Sequence, residues 1–354
     1  MASVGRALAL ALGLATLVGL GGCSLGYVAH AVGGHLDLMN RARPLDDVQA
    51  DPATPPGLRE RLALASRIRD FAVAELGLPD NPSYRRYADL QRPAAVWNVV
   101  AAPELSLVLK TWCFPVVGCV GYRGYFDRRR ADETAARLRE QGWEVSVYGV
   151  PAYSTLGWSN VLGGDPLLNT FIGWPEGELA RIVFHELAHQ VVHVADDTTF
   201  NESFATAVER LGGDRWLQRH GSEQSRAEHR ALEARRRDFR ALTLAHRARL
   251  AQLYAGSEDD ATKRRRKAEL AQRLLAEYEE IKRQRWGGFS GYDRWIAESN
   301  NATFAVQAAY DELVPGFLRL FEREGRDFRR WYAAVHRLAE LPREERRRQL
   351  AAIP

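Results

Sequence analysis

Cysteine is rare in this chain, with three in 354 residues. Two of them, Cys113 and Cys119, have no further ligand types beside them, which leaves no cysteine-built zinc cluster. An excess of one charge is also missing. Lys and Arg number 49 against 45 Asp and Glu, a net charge of only +4. Most of the basic residues fall in arginine-rich helical stretches, so nucleic acid is not an expected partner. Past residue 20 no apolar run reaches spanning length, and no internal repeat is visible. What is present is the composition of a globular protein, 46% hydrophobic and 27% charged. The length suits one large domain or two smaller ones.

The first residues are read apart from the fold. Arg6 precedes an apolar stretch, Ala7 to Leu20, and then comes Leu20-Gly21-Gly22-Cys23. Small residues directly before a cysteine resemble a lipobox. On that reading residues 1–22 are a signal peptide and Cys23 carries lipid, anchoring the chain stably to a membrane. The alternatives are a plain secretory signal or a short transmembrane anchor. Ser24 in place of Asp hints at the outer membrane, and the expected location is the periplasmic side of the cell envelope. An exported chain meets an oxidising compartment. Cys113 and Cys119, with Pro115 and Gly118 between them, then favour a small disulfide loop over free thiols.

Residues 23–43 read as a tether and 44–354 as one domain. Helical periodicity runs through Leu58, Leu62, Ala65, Ile68, Phe71 and Leu76 and stops at Gly77. Strand-like segments follow at Ala94 to Ala102, Val120 to Phe126 and Trp143 to Val150, with a helix over Arg128 to Gln141. Ala152 to Asn169 reads as loop. Pro175 to Val194 and Phe200 to Leu211 read as helices, the second stopping at Gly212-Gly213. Over 222–285 the composition shifts to Ala, Arg, Glu and Leu, with apolar residues at three- and four-residue steps on either side of Gly256-Ser257: a long helical hairpin. Its run Lys263 to Lys267 reads as a solvated face, with contact to anionic envelope surfaces as the alternative. The expected class is α+β, mainly helical, with a small N-terminal sheet.

Chemistry concentrates in "FHELAHQVVHVADDTTFNESFATAVE", Phe184 to Glu209. Residues four apart share one helix face, so His185 and His189 can aim both imidazoles at one metal ion. Glu186 is rotated about 100° from His185, too far to be a third ligand beside them, but able to act as general base on a metal-activated water. That division of labour underlies the H-E-x-x-H pattern. The surrounding "RIVFHELAHQVV" is apolar, and polar groups on a buried helix need partners. A metzincin pattern would need Gly at 192 and His at 195, where Val192 and Ala195 stand. His193, Asp196 and Asp197 are poorer third ligands than Glu202. Glu202 has its own structural reading, as the end of a Thr199-x-x-Glu202 capping box.

"HELAHQ" followed by "NESFATAVE" resembles the gluzincin zinc peptidases. The resemblance implies zinc held by His185, His189 and Glu202 with Glu186 as base, and sets Thr206 where relatives place a residue that orients a ligand histidine. Together with "FAVAELGLPDNPSYRRYADL", "TWCFPVVGCVGYRGYF", "AYSTLGW", "DPLL" and "NNATFAVQAAYDELVPGF", these segments resemble the bacterial putative-aminopeptidase lipoprotein family, from about Leu58 to Phe317. No G-x-M-E-N-like segment is present, the element that captures a free amino group in aminopeptidase-N-like enzymes.

Tyr153 and Tyr310 are candidate donors to a developing oxyanion, against a reading as core aromatics. Asn300-Asn301 either binds substrate backbone or starts a helix. The expectation is a Zn2+-dependent, lipid-anchored metallopeptidase acting on peptide or protein substrates in the envelope, named an aminopeptidase by resemblance. The alternatives are an envelope endopeptidase of protein quality control and a non-catalytic lipoprotein that binds a partner through its hairpin. Nothing in the sequence sets an oligomeric state.

Overall fold

The computed structural model describes residues 26–114, 118–152, 155, 160, 163–195 and 197–354. In chain order it runs through α1 (26–41), β1 (Arg43–Pro44), α2 (Leu45–Ala50), α3 (Pro56–Leu76), β2 (Arg86–Ala88), β3 (Val96–Pro103), β4 (Trp112–Phe114), β5 (Gly118–Val120), β6 (Arg123–Tyr125), α4 (Arg128–Glu140), β7 (Trp143–Val150) and β8 (Leu167–Leu168). It continues, now all helical, with α5 (Glu176–Ala188), α6 (Thr198–His220), α7 (Glu223–Ala255), α8 (Asp260–Gln284), α9 (Asp293–Ala297), α10 (Asn301–Asp311), α11 (Val314–Arg323), α12 (Phe328–Ala339) and α13 (Arg343–Ala351). The fold is mainly helical α+β, as the sequence patterns predict.

The central strand explains its own composition. β3 pairs antiparallel with β6 on one side and β7 on the other. Val99 and Ala101 pack with Ala131, Ala135 and Leu138 of α4. Val100 and Ala102 pack with Ala302 of α10 on the opposite face. A strand covered on both faces has no polar side to show, hence "VWNVVAA" without alternation. β4 and β5 form a short ribbon that pairs Cys113 opposite Cys119, and the two are disulfide-bonded. A third small sheet orders β1-β2-β8.

The larger core gathers α3, α5, α6, α11 and α12. Phe71 meets Phe184 and Trp216, while Phe204 meets Phe317, Trp331 and Tyr332. The hairpin α7–α8 buries Phe239, Leu242, Leu250, Leu274 and Tyr278. Within Lys263 to Lys267, Arg264 pairs with Glu104 and Lys267 with Glu144. The basic run is thus an exposed face that also pins the hairpin to the β3–β7 layer. No helix among the described residues is long and apolar enough to cross a membrane.

Several boundaries differ from the sequence expectation: the segment read as loop holds the short strand β8, the strand expected over Val120 to Phe126 is split between β5 and β6, and three differences are larger. Part of the segment read as a tether is helix α1, seated on the small sheet: the Tyr27 hydroxyl donates to Gly124 O at 3.0 Å, Phe126 N donates to His30 Nε2 at 3.1 Å, and Leu38 is fully buried. The first motif helix stops at Ala188, six residues before the expected Val194. The second does not stop at Gly212-Gly213 but runs on to His220. Both glycines lie mid-helix because neighbouring helices crowd them, Gly212 against Leu76 and Phe184, Gly213 against the stem of Arg181. The lipobox-like Cys23 lies outside the described residues.

Candidate metal centre

α5 is set up to end where the site begins. Pro175 caps its start, Glu176 and Glu178 sit in the first turn where the helix dipole favours acids, and His189 closes the last turn. The chain then turns back, and α6 begins at an N-cap formed by Asp197, whose Oδ1 accepts from Phe200 N at 3.2 Å. Arg346, from the far end of the chain, grips the other Asp197 oxygen at 2.5 Å. Asn201 clamps the turn from both sides: its Oδ1 accepts from Val194 N at 2.9 Å and its Nδ2 donates to Val194 O at 2.8 Å. Because Asp197 caps the helix, Glu202 is not spent on a capping box. Its carboxylate is left to face α5.

There His185, His189 and Glu202 converge, with one donor atom from each lying within 4.8 Å of the others. His185 Nε2 is 3.2 Å from His189 Nε2 and 3.3 Å from Glu202 Oε2, and His189 Nε2 is 3.7 Å from the same oxygen. A tetrahedral zinc with bonds of about 2.0–2.1 Å spaces its donors about 3.3–3.4 Å apart, so the triangle has the right size. Both Glu202 Oε2 and His189 Nδ1 are buried without a hydrogen-bond partner. Two imidazole lone pairs and a carboxylate oxygen in van der Waals contact repel unless a cation or proton lies between them. The residues present therefore fit the metal. His193 is exposed and Asp197 is committed to its cap and to Arg346, so neither joins the set; Asp196 lies outside the described residues.

Of the three side chains His185 is the best held. Its Nδ1 meets Glu209 Oε2 at 3.0 Å, and the second Glu209 oxygen accepts from Arg181 at 2.6 Å. A carboxylate on Nδ1 leaves the Nε2 lone pair for a metal. Thr206, expected to orient a ligand histidine, does not take that part. Glu209 does, and its signal was present: it lies seven residues after Glu202, two turns along the same helix face.

Electrostatics separate the two histidines. Burial works against a charged His185, but the carboxylates of Glu202 and Glu209, at 3.3 and 3.0 Å, outweigh it and hold its pKa well above the ordinary value. Burial pushes His189 down to about 4 against the pull of Glu202. Glu186, between them, is raised to about 7. Burial is the main cause and the charges of Glu202, Asp165 and Glu209 add to it, against the attraction of His185. An acid near 7 can both take and return a proton at neutral pH.

Of the two expected tyrosine donors, Tyr153 lies outside the described residues, as does the side chain of Tyr310 in α10. Three other tyrosines feel the site's carboxylates. Tyr84 is buried, at φ 65°, with an unpartnered hydroxyl, and its pKa is raised by burial and then by Glu186 and Asp165. Tyr122 is raised by burial and then Glu202; Tyr148 is pushed to about 12 by burial, with Glu202 adding to it against a hydrogen bond from Asn98. Near neutrality all three keep their protons and remain hydrogen-bond donors. The segment carrying Tyr84 is tied to the motif helix: Asn81 donates to Gln190 at 2.7 Å and Gln190 to Ser83 at 3.2 Å. Asn300 and Asn301 work inside the fold. Asn300 caps α10 through Thr303 N, and Asn301 donates to Pro103 O and Glu104 O.

The fold and site define a mainly helical α+β protein with a His–His–Glu candidate metal centre. Residues 26–350 match the family described as "Putative aminopeptidase", so the chain belongs to that family, and membership supports a peptidase. Neither the curated proteins nor the solved structures give a match.

Proposed function

We propose that this protein is a zinc-dependent peptidase of the cell envelope, acting on peptide or protein substrates with Glu186 as its base. The observation that carries the reading is the convergence of His185 Nε2, His189 Nε2 and Glu202 Oε2 at 3.2–3.7 Å, one residue from a carboxyl held near 7. Among the described residues the cluster offers three donors rather than four, and a set of three protein ligands is the mark of a catalytic rather than a structural zinc site. Bound there, zinc would supply Lewis acidity and bring the pKa of water in the open position to about 7. Glu186 takes a proton from the attacking water and hands it to the leaving amine. Tyr84, Tyr122 and Tyr148 supply neutral donors beside these carboxylates. The lipobox-like Leu20 to Cys23 supports an envelope location with a lipid anchor on Cys23.

Family membership favours an aminopeptidase. The lack of a G-x-M-E-N-like segment favours an endopeptidase as the second reading. A digest separates them. The chain from Ser24 onward, loaded with zinc, is given a mixed peptide library beside Glu186→Gln, and mass spectrometry reads the new ends. Removal of a catalytic base costs about 10²–10⁴-fold, so the variant should bind zinc and cut almost nothing. Loss of single amino-terminal residues marks an aminopeptidase, and internal cuts an endopeptidase. Equal inertness of both proteins would defeat the catalytic reading.

A further inference from the structure

The metal-site geometry continues well beyond the three ligands. His185 rests on Glu209, and Glu209 on Arg181. Arg181 lies one helical turn before His185 on α5, with only 6% of its side chain exposed. Its second amino group, Nη1, is gripped by Glu233 of α7. Glu233 is held in turn by Arg236 Nη1 at 2.7 Å, and Arg236 also pairs with Glu178 of α5. Signs alternate along the whole row: imidazole, carboxylate, guanidinium, carboxylate, guanidinium, carboxylate. α7 is laid against α5 there by further contacts, among them Ser225 Oγ donating to Glu176 at 2.9 Å. The stem of Arg181 passes through a gap that exists because residue 213 is glycine; a Cβ there would come within 2.6 Å of Arg181 Cγ.

Each link has one job that its neighbour cannot do. Glu209 uses one oxygen on His185 and the other on Arg181, so its plane is set only while Arg181 stays in place. Arg181 has a long, rotamer-rich side chain, and with only Glu209 and a looser contact to Glu178 at 4.0 Å its guanidinium could still pivot. Glu233 removes that freedom. In sequence, Glu233 sits in "LEARRRDF", which reads as an ordinary charge run. In the fold it is the hairpin's contact with the ion-pair row that ends at the metal site.

We infer that Glu233 and Arg181 are positioning residues of the metal centre, acting through Glu209 on His185, so that the helical hairpin sets how tightly the site holds its metal. The inference rests on the reading of His185 as a metal ligand, and it concerns affinity for the ion, independent of turnover.

The test measures zinc dissociation constants of the chain from Ser24 onward by competition with a chelator. Outer partners of ligand histidines are worth about 10–100-fold in metal affinity, and Glu209→Gln should show that loss. Glu233→Gln, one link further out and partly exposed, should weaken zinc by about 3–10-fold. In the double variant the second substitution should add nothing to Glu209→Gln, because its effect passes only through Glu209. Glu233→Asp keeps the charge, draws the carboxylate back by one methylene, and should shift affinity in the same direction. The visible spectrum of the cobalt-loaded protein should change in Glu233→Gln as the imidazole reorients, a signal that loss of stability alone does not produce. Unchanged affinity and spectrum in Glu233→Gln would overturn the inference, as would losses that multiply in the double variant. A parent protein that takes up no zinc would overturn the metal-centre reading instead, a result that no comparison among the variants imitates.

Discussion

Gly212→Ala tests whether α6 runs through its glycine pair for the reason the packing gives. In an exposed helix interior, replacing Gly by Ala is worth about 1 kcal/mol of stability. At Gly212 the new Cβ would stand 2.7 Å from Leu76 Cδ1 and 2.8 Å from Phe184 Cδ2, where ordinary contact begins at 3.4 Å. The shortfalls are 0.7 and 0.6 Å. Leu76 and Phe184 are both fully buried, and Phe184 is a stiff ring packed against Phe71, so neither can step aside freely. Overpacking of this kind costs about 1–3 kcal/mol. Two simultaneous clashes put the cost in the upper part of that range, so the steric loss exceeds the helical gain, for a net loss of about 1–2 kcal/mol. Equilibrium unfolding in urea reads it as a lower midpoint at unchanged slope. Gly57→Ala in α3, where nothing lies within 4 Å of the added Cβ, is the control and should be neutral or gain up to about 1 kcal/mol. A Gly212→Ala protein more stable than its parent would refute the account of why that residue is glycine.

Zinc uptake should release protons. His185 is held protonated by its carboxylate partners against the effect of burial, and a ligand must give up its Nε2 proton, so at least about one proton should leave near pH 7, with Glu186 and the bound water able to add to it; calorimetry in buffers of different ionisation enthalpy reads the count, and a zero slope would contradict the assignment. His246, buried at 2% exposure, has its pKa lowered to about 4 by burial and then by Arg249, against the pull of Glu277. Above the ordinary value of about 6.5 both folded and unfolded states are neutral there; as pH falls toward 4 only the unfolded state gains the proton, so folding loses up to about 3 kcal/mol. His246→Phe should abolish that part of the acid sensitivity, and a parent-minus-variant stability difference that stays flat from pH 7 to 4 would show the histidine is not responsible.

The His–His–Glu cluster is legible because its geometry is local. His185 and His189 are one turn apart, and "NES" follows within reach of a single chain reversal. Glu202 as ligand or as capping residue was not decidable from the pattern, since Asp197 and Thr199 each stand three residues before a residue they can cap. Arg346, 149 residues downstream of Asp197, helps to choose between them. Glu209 is readable in principle, as a carboxylate two turns beyond Glu202, whereas the family resemblance points to Thr206. Gly212-Gly213 looks like a helix stop for a physical reason: glycine is local punctuation only when nothing crowds it, and crowding by Phe184 and Arg181 is a tertiary fact. The helix α1 was hidden likewise, because its docking face of Tyr27, His30 and Leu38 is interrupted by small residues that look like a linker.

The donors for a metal thus come from 18 residues, His185 to Glu202, while nearly everything that aims them comes from elsewhere. Nothing within α5 tells His185 which ring nitrogen to leave open. Glu209 decides it, and Glu209 is steadied by Arg181 and by Glu233 on α7. The start of α6 is fixed beside His189 from both sides of the turn. Asn201 decides that by holding Val194, with Arg346 on the cap. Glu186 owes its raised pKa first to the burial these elements create, and then to carboxylates at positions 202, 165 and 209. A peptide carrying HELAH and NES would own all three candidate donors and Glu186, yet it would lack the fixed tautomer, the donor spacing and the tuned acid. The short motif names the chemistry, but the hairpin, the last helix and the segment around Tyr84 are what place its atoms, which is why a domain of this length surrounds so small a centre.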